Sequence, residues 1–287
     1  MDIGIGIPNS VRGTTGAQLL EWARRADTLG FSSLATIGRV AYPNYEELTV
    51  FAAAGAVTER IRFVSDVLLA PTRSTAELAK QAATVQQLTG GRLTLGLSVG
   101  GRPDDYLATG RDFASRGQAF DQQLAGLQRA FAGEPLAEGL LPVVPDAQTG
   151  GVPILIGGST EAAVRRTVQF GVGWTSGGLP PQMIAPFVER VRAAWRDAGR
   201  EGAPRIVALN YFSLGDTEER SRGYLLDYYG FLGPELSEMI AGGAHRSPEA
   251  VRDVIAGFAE VGVDELILDP TVGDPQQVDL LAAAALG

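Results

Sequence analysis

The stretch best suited to bind a phosphate group is Ile156-Gly157-Gly158-Ser159-Thr160. It follows an apolar segment that predicts a buried strand and precedes a segment that predicts a helix. Backbone N–H groups at a helix N-terminus, together with two hydroxyl groups, form a favourable phosphate site. The alternative is that these hydroxyl groups only cap the helix, with Glu161 early in it, although the capping-box spacing is imperfect.

Two further glycine pairs, Gly100-Gly101 and Gly177-Gly178, also follow predicted strands. One pair can serve a tight turn alone, but three pairs at strand ends favour close approach of the backbone to a flat or phosphorylated ligand. Arginines follow the first of these pairs, and any of them is a candidate partner for a phosphate: Arg102, Arg111 and Arg116. Aspartates in the same segment offer the alternative of ordinary surface ion pairs.

The composition excludes several other kinds of chemistry. The chain has no cysteine, which removes disulfides, thiolate metal sites, iron–sulfur ligation and cysteine nucleophiles. Its one histidine excludes a histidine-rich metal site, and we expect no bound metal. The only lysine, Lys80, lies in a predicted helix, which gives Schiff-base chemistry little support.

Charge and hydropathy restrict the possible partners. The net charge of -9 argues against nucleic acid or an anionic membrane surface as the partner. No apolar run reaches the roughly 18 residues of a membrane span, and the N-terminus lacks the features of a signal peptide. We therefore predict a cytoplasmic protein.

Alternating strands and helices must position the candidate residues. Residues 63–101 show the pattern, with an apolar strand, a helix that begins at Ser74 or Thr75 and ends at Gly90, and a second apolar strand. Two buried strands joined through a helix form a parallel βαβ unit. The same pattern predicts strands over 3–8, 32–37, 63–70, 92–99, 153–158, 174–178, 205–215 and 265–270.

Eight such alternations in 287 residues, without a second hydrophobic pattern, predict a single (β/α)8 barrel domain. The segment 100–117 is interpreted as a polar loop, 133–151 as a connecting loop, and 217–241 as one helical segment. In such barrels ligands bind at the C-terminal ends of the strands, where the glycine pairs lie.

Several stretches together resemble the bacterial luciferase-like family of flavin-dependent oxidoreductases: LGFSSL, AVTERIRF, LLAPTRSTAELAKQAAT, GGRLTLGLSVGG and PILIGGS. The resemblance implies a (β/α)8 barrel that binds FMN, or in a sister branch a deazaflavin coenzyme, at its C-terminal mouth. Family monooxygenases take reduced FMN from a separate flavin reductase, form a C4a-peroxyflavin with O2, and oxidise a small organic substrate. Members of the deazaflavin branch transfer a hydride instead. The resemblance also suggests a homodimer.

The resemblance assigns roles to individual positions. A cis peptide bond that is not prolyl would lie at Asp66-Val67, in a bulge that presses against the flavin ring. The phosphate would contact Gly157, Gly158, Ser159, Thr160 and Arg116. Other cofactor contacts would come from Val99, Gly100, Gly177 and Gly178.

The sequence departs from the family at the end of strand two. Many members carry an acidic residue and a histidine there, whereas this chain has Gly38 and Arg39. A deazaflavin enzyme whose hydride transfer relies on this histidine would lack its acid/base group here. A monooxygenase needs the histidine less, because FMN itself carries the difficult chemistry. The sequence therefore favours FMN. Binding of a flavin without turnover is a third hypothesis. His245 precedes a predicted helix and is interpreted as a loop residue.

Arg39 and Tyr211 are the candidate catalytic side chains. Tyr211 either donates a hydrogen bond to a substrate oxygen or packs within the barrel. Aromatic residues near the mouth form either a hydrophobic substrate wall or part of the core or dimer contact: Tyr42, Tyr45, Tyr228, Tyr229 and Phe231.

Overall fold

Eight parallel strands close into one barrel in the computed structural model, which describes residues 1–145 and 151–287. Each strand pairs with the next, and the last pairs with the first. The strands are β1 Asp2–Gly6, β2 Ser33–Thr36, β3 Arg62–Leu69, β4 Leu93–Ser98, β5 Ile154–Gly157, β6 Gly173–Ser176, β7 Arg205–Phe212 and β8 Glu265–Pro270. The predicted (β/α)8 barrel is confirmed.

Helices surround the barrel and connect its strands. They are α1 Gly16–Leu29, α2 Glu47–Gly55, α3 Thr75–Leu88, α4 Pro103–Thr109, α5 Arg116–Phe131, α6 Glu161–Phe170, α7 Pro181–Asp197, α8 Glu218–Tyr229, α9 Pro234–Gly242, α10 Pro248–Glu260 and α11 Gln276–Ala285. Short 3-10 turns cover Ala70–Thr72 and Gly230–Leu232. Ser74 caps α3 by accepting a hydrogen bond from the N–H of Glu77, which decides between the two predicted starts. Across the described ranges, no helix is long and apolar enough to cross a membrane.

Two predicted segments are wrong in detail. The expected loop 100–117 contains α4, which starts with Pro103 and is capped at its C-terminus by Gly110 with φ of 65°. The expected single helix over 217–241 is divided into α8 and α9, because Gly233 at φ 85° breaks the helix and Pro234 starts a new one. In the expected loop 133–151, the described part has neither helix nor strand, and residues 146–150 lie outside the described residues.

The core has two layers, one between strands and helices and one inside the barrel. Large aromatic side chains fill the outer layer: Trp22, Phe51, Phe63, Phe120 and Phe258. Aliphatic side chains from several strands fill the inner layer: Val64, Leu155, Val207 and Ile267. Full burial of side chains of this size stabilises the fold by about 1.5–3 kcal/mol each, so the barrel is a rigid support for its mouth.

Candidate active site

A cavity of about 380 Å³ opens at the C-terminal ends of β5, β6 and β7. Apolar residues from α7, α9 and the turns before them form one side: Leu179, Met183, Ile184, Phe187, Leu232, Leu236, Met239 and Ile240. Among the described residues that line it, none carries a charge. Its volume is within the range of small-molecule sites, and it lies where (β/α)8 enzymes bind their ligands.

Glycines at the ends of β5 and β6 let the cavity walls approach closely. A Cβ atom at Gly178 would come to 2.8 Å from Cε2 of Tyr211, and one at Gly157 to 2.9 Å from Cγ1 of Val67. At Gly177 a Cβ atom would meet nothing within 4 Å, because that face of the glycine opens to free space. Gly158 has φ of 110°, a conformation that favours glycine.

The N-terminus of α6 adjoins the cavity. Thr160 is the N-cap, and its hydroxyl oxygen accepts a hydrogen bond of 3.3 Å from the N–H of Ala163. Because the third helical residue is alanine, no capping box forms. Ser159 is exposed and lines the cavity. The first N–H groups of a helix have no carbonyl partner within it, so this end of α6 can bind an anion.

A bulge in β3 lies beneath the cavity. The pairing of β3 with β4 shifts register between Ser65 and Leu68, and the Asp66-Val67 peptide bond is cis, as the resemblance implied. The hydroxyl of Thr175 on β6 donates a 2.7 Å hydrogen bond to Oδ1 of Asp66. Since Thr175 also lines the cavity, it connects the bulge with the cavity.

Two buried carboxyl groups lie inside the barrel near its mouth. Burial raises the pKa of Asp66 to about 7, and the charge of Glu265 also raises it, against the lowering effect of the Thr175 hydrogen bond. Burial raises the pKa of Asp269 well above its usual range, with a further contribution from the charge of Asp66. Within the described chain, Oδ2 of Asp66 and Oδ1 of Asp269 are buried and have no hydrogen-bond partner. Gly6 leaves room for Asp269, since a Cβ atom there would come to 1.9 Å from Oδ1.

Tyr211 is both packed and in contact with the cavity. Its side chain is buried, and its hydroxyl pairs with the hydroxyl of Tyr229, which also lines the cavity. Burial, and then the neighbouring groups Tyr229 and Asp269, raise the pKa of Tyr211 well above its usual value. Tyr211 is therefore a neutral phenol, able to donate or accept a hydrogen bond.

Arg39 does not line the cavity. Its Nη2 forms a 2.6 Å ion pair with Oδ2 of Asp104, and its guanidinium lies 5.2 Å from the Tyr42 ring centre and 5.6 Å from that of Phe231. Arg102 lies 4.3 Å from the Phe231 ring centre. These contacts connect the ends of β2 and β4 with the 3-10 turn after α8, which supports the mouth from one side.

The remaining predicted cofactor contacts surround the end of β4. Arg116 donates a 2.6 Å hydrogen bond to the carbonyl of Phe113, and its guanidinium lies 3.8 Å from the ring centre of the same residue. The carbonyl of Val99 accepts a 2.6 Å hydrogen bond from the hydroxyl of Tyr106. Gly100 has φ of 69° and lies against Leu69. The structure thus brings together at the cavity only part of the predicted set: Gly158, Ser159, Gly177, Gly178 and Tyr211.

His245 supports β7 and does not line the cavity. The backbone N–H of His245 donates a hydrogen bond to the carbonyl of Tyr211 at 2.9 Å, and the backbone carbonyl of His245 accepts one from the N–H of Ser213 at 3.0 Å. Burial, and then the charge of Arg246, lower the pKa of the imidazole. It lies outside the helices and strands of the barrel, in agreement with the predicted loop position.

The sequence analysis missed two residues at the site, Thr175 and Trp174, and placed Asp269 at a strand end without assigning it a role. Thr175 shares a strand face with Gly173 and Gly177, so the period of two could have found it. Trp174 donates a 2.7 Å hydrogen bond from Nε1 to the carbonyl of Gly158 and holds the ends of β5 and β6 together. The position of Asp269 at the end of β8 was predictable, but the direction of its side chain was not, because residues on both faces of β8 are buried.

Comparison with known proteins decides the family. The model of the luciferase-like monooxygenase family matches residues 1–284. The chain belongs to this family. Membership makes this luciferase-like protein an oxidoreductase enzyme. The uncharacterized protein Rv0940c of Mycobacterium tuberculosis is 32% identical over 223 residues, which cover 67% of this chain and 77% of that protein.

Solved structures of the same fold include three enzymes. Monooxygenase RslO1 from Streptomyces bottropensis has a TM-score of 0.79 at 21% identity, with 100% of this chain and 99% of that chain covered. An F420-dependent secondary alcohol dehydrogenase in complex with an F420-acetone adduct has a TM-score of 0.80 at 16% identity, with 99% and 98% covered. The oxygenating constituent of 3,6-diketocamphane monooxygenase from Pseudomonas putida, in complex with FMN, has a TM-score of 0.73 at 17% identity, with 98% and 97% covered. Likeness at these identities shows the shared barrel fold alone.

Proposed function

We propose that this luciferase-like protein is a flavin-dependent monooxygenase that uses reduced FMN and O2 to oxidise a small, neutral, apolar substrate. The observation that carries the proposal is the uncharged cavity of about 380 Å³ between glycine-rich strand ends and the N-terminus of α6. When bound, the flavin would supply the redox chemistry. A separate flavin reductase as its source, and a homodimeric assembly, are further parts of the proposal that rest on the family resemblance.

The residues at the mouth fit a flavin. Ser159 and the first N–H groups of α6 would hold the phosphate, because they offer a hydroxyl and a positive helix end. The open face of Gly177 leaves room for a flat ring, and the β3 bulge at Asp66-Val67 would support it from below. Arg116 is a further proposed phosphate contact, since its Nε is buried without a partner in the described structure.

The chain's own residues would orient the substrate and exclude water. Apolar side chains of α7 and α9 form a wall from which water is displaced by an apolar substrate. The paired hydroxyls of Tyr211 and Tyr229 are polar groups in this wall, and we assign them the positioning of a substrate oxygen. Arg39 would act indirectly, by holding the mouth in shape. The absence of a histidine from the described cavity lining supports FMN over a deazaflavin that relies on histidine for hydride transfer.

A cofactor titration tests the proposal directly. We expect reduced FMN, added anaerobically, to quench the tryptophan fluorescence at lower concentration than the reduced deazaflavin coenzyme does. Trp174 at the edge of the cavity provides the signal. With O2 and an apolar ketone or hydrocarbon, oxygen should then be incorporated into the product. If the deazaflavin bound more tightly than FMN and substrate oxidation needed no O2, the protein would be a hydride-transfer enzyme and not a monooxygenase. FMN binding without substrate oxidation would indicate a binding protein.

Filling the cavity at Gly177 should remove flavin binding without unfolding the barrel. Gly177 is not at positive φ, and a Cβ atom there meets nothing within 4 Å, so Gly177→Leu places its side chain in free space. We expect at least about tenfold weaker FMN binding, which corresponds to about 1.4 kcal/mol, with a melting temperature close to that of the wild type. Gly223→Leu on α8, where a Cβ atom also meets nothing within 4 Å, is the matched control. If Gly177→Leu and Gly223→Leu bound FMN with equal affinity, the flavin would not bind next to Gly177.

A further inference from the structure

We propose that Arg39 and Arg102 clamp the ring of Phe231, and that this clamp holds the N-terminal half of α9 in place as a wall for the substrate. Phe231 belongs to the 3-10 turn Gly230–Leu232, which connects α8 with α9. The inference rests on the proposed function, since it takes the apolar cavity as the substrate site. It makes Arg102 and Phe231 positioning residues, although neither of them lines the cavity.

Two guanidinium groups lie against the aromatic rings of the turn. The guanidinium of Arg102 lies 4.3 Å from the ring centre of Phe231, and that of Arg39 lies 5.6 Å from it. The same two groups lie 5.0 and 5.9 Å from the ring centre of Tyr228, at the end of α8. All four distances are within the range of a cation–π attraction. The turn is therefore attached to the ends of β2 and β4, from which these arginines come.

The two arginines are held in different ways. The side chain of Arg39 is 7% exposed, and its Nη2 pairs with Oδ2 of Asp104 at 2.6 Å. Within the described residues, Arg102 has neither an ion pair nor a side-chain hydrogen bond, and its Nε is buried without a partner. The rings beside Arg102 are thus what keeps its guanidinium in place, so Arg102 and Phe231 depend on each other.

The start of α9 depends on the clamped turn. Gly233, with φ of 85°, precedes the helix and offers no side chain to cap it. The other end of α9 has its own anchor, since the carbonyl of Ala241 accepts a 2.7 Å hydrogen bond from Nη2 of Arg246. Between the two ends, Glu238 pairs with Arg222 of α8, but this ion pair is exposed and contributes little. Loss of the clamp should therefore loosen the first half of the helix.

This part of the chain carries half-exposed apolar side chains of the cavity. Leu232 in the turn and Leu236 in α9 line the cavity and are 38% and 46% exposed. An apolar ligand that covers them gains from the removal of their surface from water. It gains this only when α9 is in its closed position, so ligand binding and the closed position favour each other.

Hydrogen exchange of the ligand-free protein tests the clamp. In Phe231→Leu, we expect the α9 amides from Ser237 onward to exchange at least about tenfold faster, because local opening becomes easier. Phe231→Tyr keeps an aromatic ring and should exchange like the wild type. Tyr45→Leu is the matched control, since Tyr45 is 41% exposed, against 43% for Phe231, and lies beside α1 and α2. A general loss of stability in this control should leave α9 exchange unchanged, because α9 opens locally.

A double-mutant cycle tests whether the arginine and the ring act together. Arg102→Met alone should speed α9 exchange at least about threefold. Arg102→Met combined with Phe231→Leu should exchange at nearly the rate of Phe231→Leu alone, because the two changes remove the same contact. Effects that multiply in the double variant, or α9 exchange in Phe231→Leu that equals the wild type, would overturn the clamp.

The role of α9 as a wall is tested with prodan, a neutral apolar ketone whose fluorescence reports binding without any flavin. If the open form of α9 cannot hold the ligand, prodan at about 100 times its Kd should slow α9 exchange about a hundredfold. Absence of prodan binding, or unchanged α9 exchange with prodan bound, would overturn this role. If the protein binds no FMN, the proposed function fails, while the exchange results still decide whether the clamp exists.

Discussion

Replacing Asp66 with asparagine is expected to raise the free energy of unfolding of the ligand-free protein by about 4 kcal/mol at pH 8, and by much less at pH 5. Folding raises the pKa of this carboxyl from its usual 3.8 to about 7. Each pH unit of that rise costs the folded state about 1.4 kcal/mol once the group is ionised. Asparagine has no proton to lose and can still accept the hydrogen bond from Thr175.

The sign follows from proton binding. Between the usual pKa and the raised pKa of Asp66, the folded chain binds more protons than the unfolded chain, so its stability falls as the pH rises through this window. Above about pH 7 Asp66 is ionised in the folded chain as well, and the stability does not fall further through this group. Urea unfolding at pH 5 and pH 8 measures the effect, with Asp253→Asn on α10 as the exposed control. An Asp66→Asn gain that is the same at both pH values would show that Asp66 is not a protonated buried acid.

Replacing Arg73 should lower the free energy of unfolding, and it is the largest destabilisation that we expect. Arg73 binds Oε1 of Glu46 through Nη1 and Oε2 of Glu47 through Nη2, both at 2.9 Å, and the Glu47 side chain is 5% exposed. Burial raises the pKa of Glu47 to about 7 even with Arg73 opposing it. Arg73→Met leaves this carboxyl without its cation, and we expect a loss of about 3–5 kcal/mol in the free energy of unfolding at pH 8.

A double variant separates charge from packing. Arg73→Met combined with Glu47→Gln should recover most of the lost stability, because no uncompensated charge remains. The loss in Arg73→Met should also shrink at pH 5, where Glu47 takes up a proton. Arg252→Met breaks an exposed ion pair with Glu249, and its cost should stay below about 1 kcal/mol. A similar cost for Arg73→Met and Arg252→Met would contradict the role of Arg73.

The strands and the mouth of the barrel were predictable because both have strong local signals. Apolar runs that end at glycines mark β4, β5 and β6, and the rule that barrel ligands bind at strand ends then locates the mouth. The N-cap of α3 and the C-terminal Gly30 of α1, with φ of 91°, are equally local. These features depend on a few neighbouring residues, so the sequence alone could indicate them.

The sequence predictions were wrong where contacts between residues that are far apart in the sequence determine the structure. The helix α4 looks like a polar loop in the sequence, which gives no sign that Asp105 is buried. In the structure the carboxylate of Asp105 accepts hydrogen bonds from the backbone N–H groups of Val40 and Ala41, both at 2.8 Å. The catalytic role of Arg39 stays a prediction, and its ion pair with Asp104 of α4 has no signal in the sequence. Likewise, the apolar residues of α7 and α9 have the spacing of ordinary core positions, and only their packing makes them a cavity wall.

Gly38 is coupled by packing to Glu47 and, through it, to Arg73. A Cβ atom at Gly38 would come to 1.5 Å from Oε1 of Glu47, so the carboxylate delivered by α2 occupies the place of a side chain at the end of β2. A larger residue at position 38 therefore has to displace the Glu47 carboxylate, which disturbs its ion pair with Arg73. Adding a side chain at position 38 alone is therefore expected to lower the free energy of unfolding.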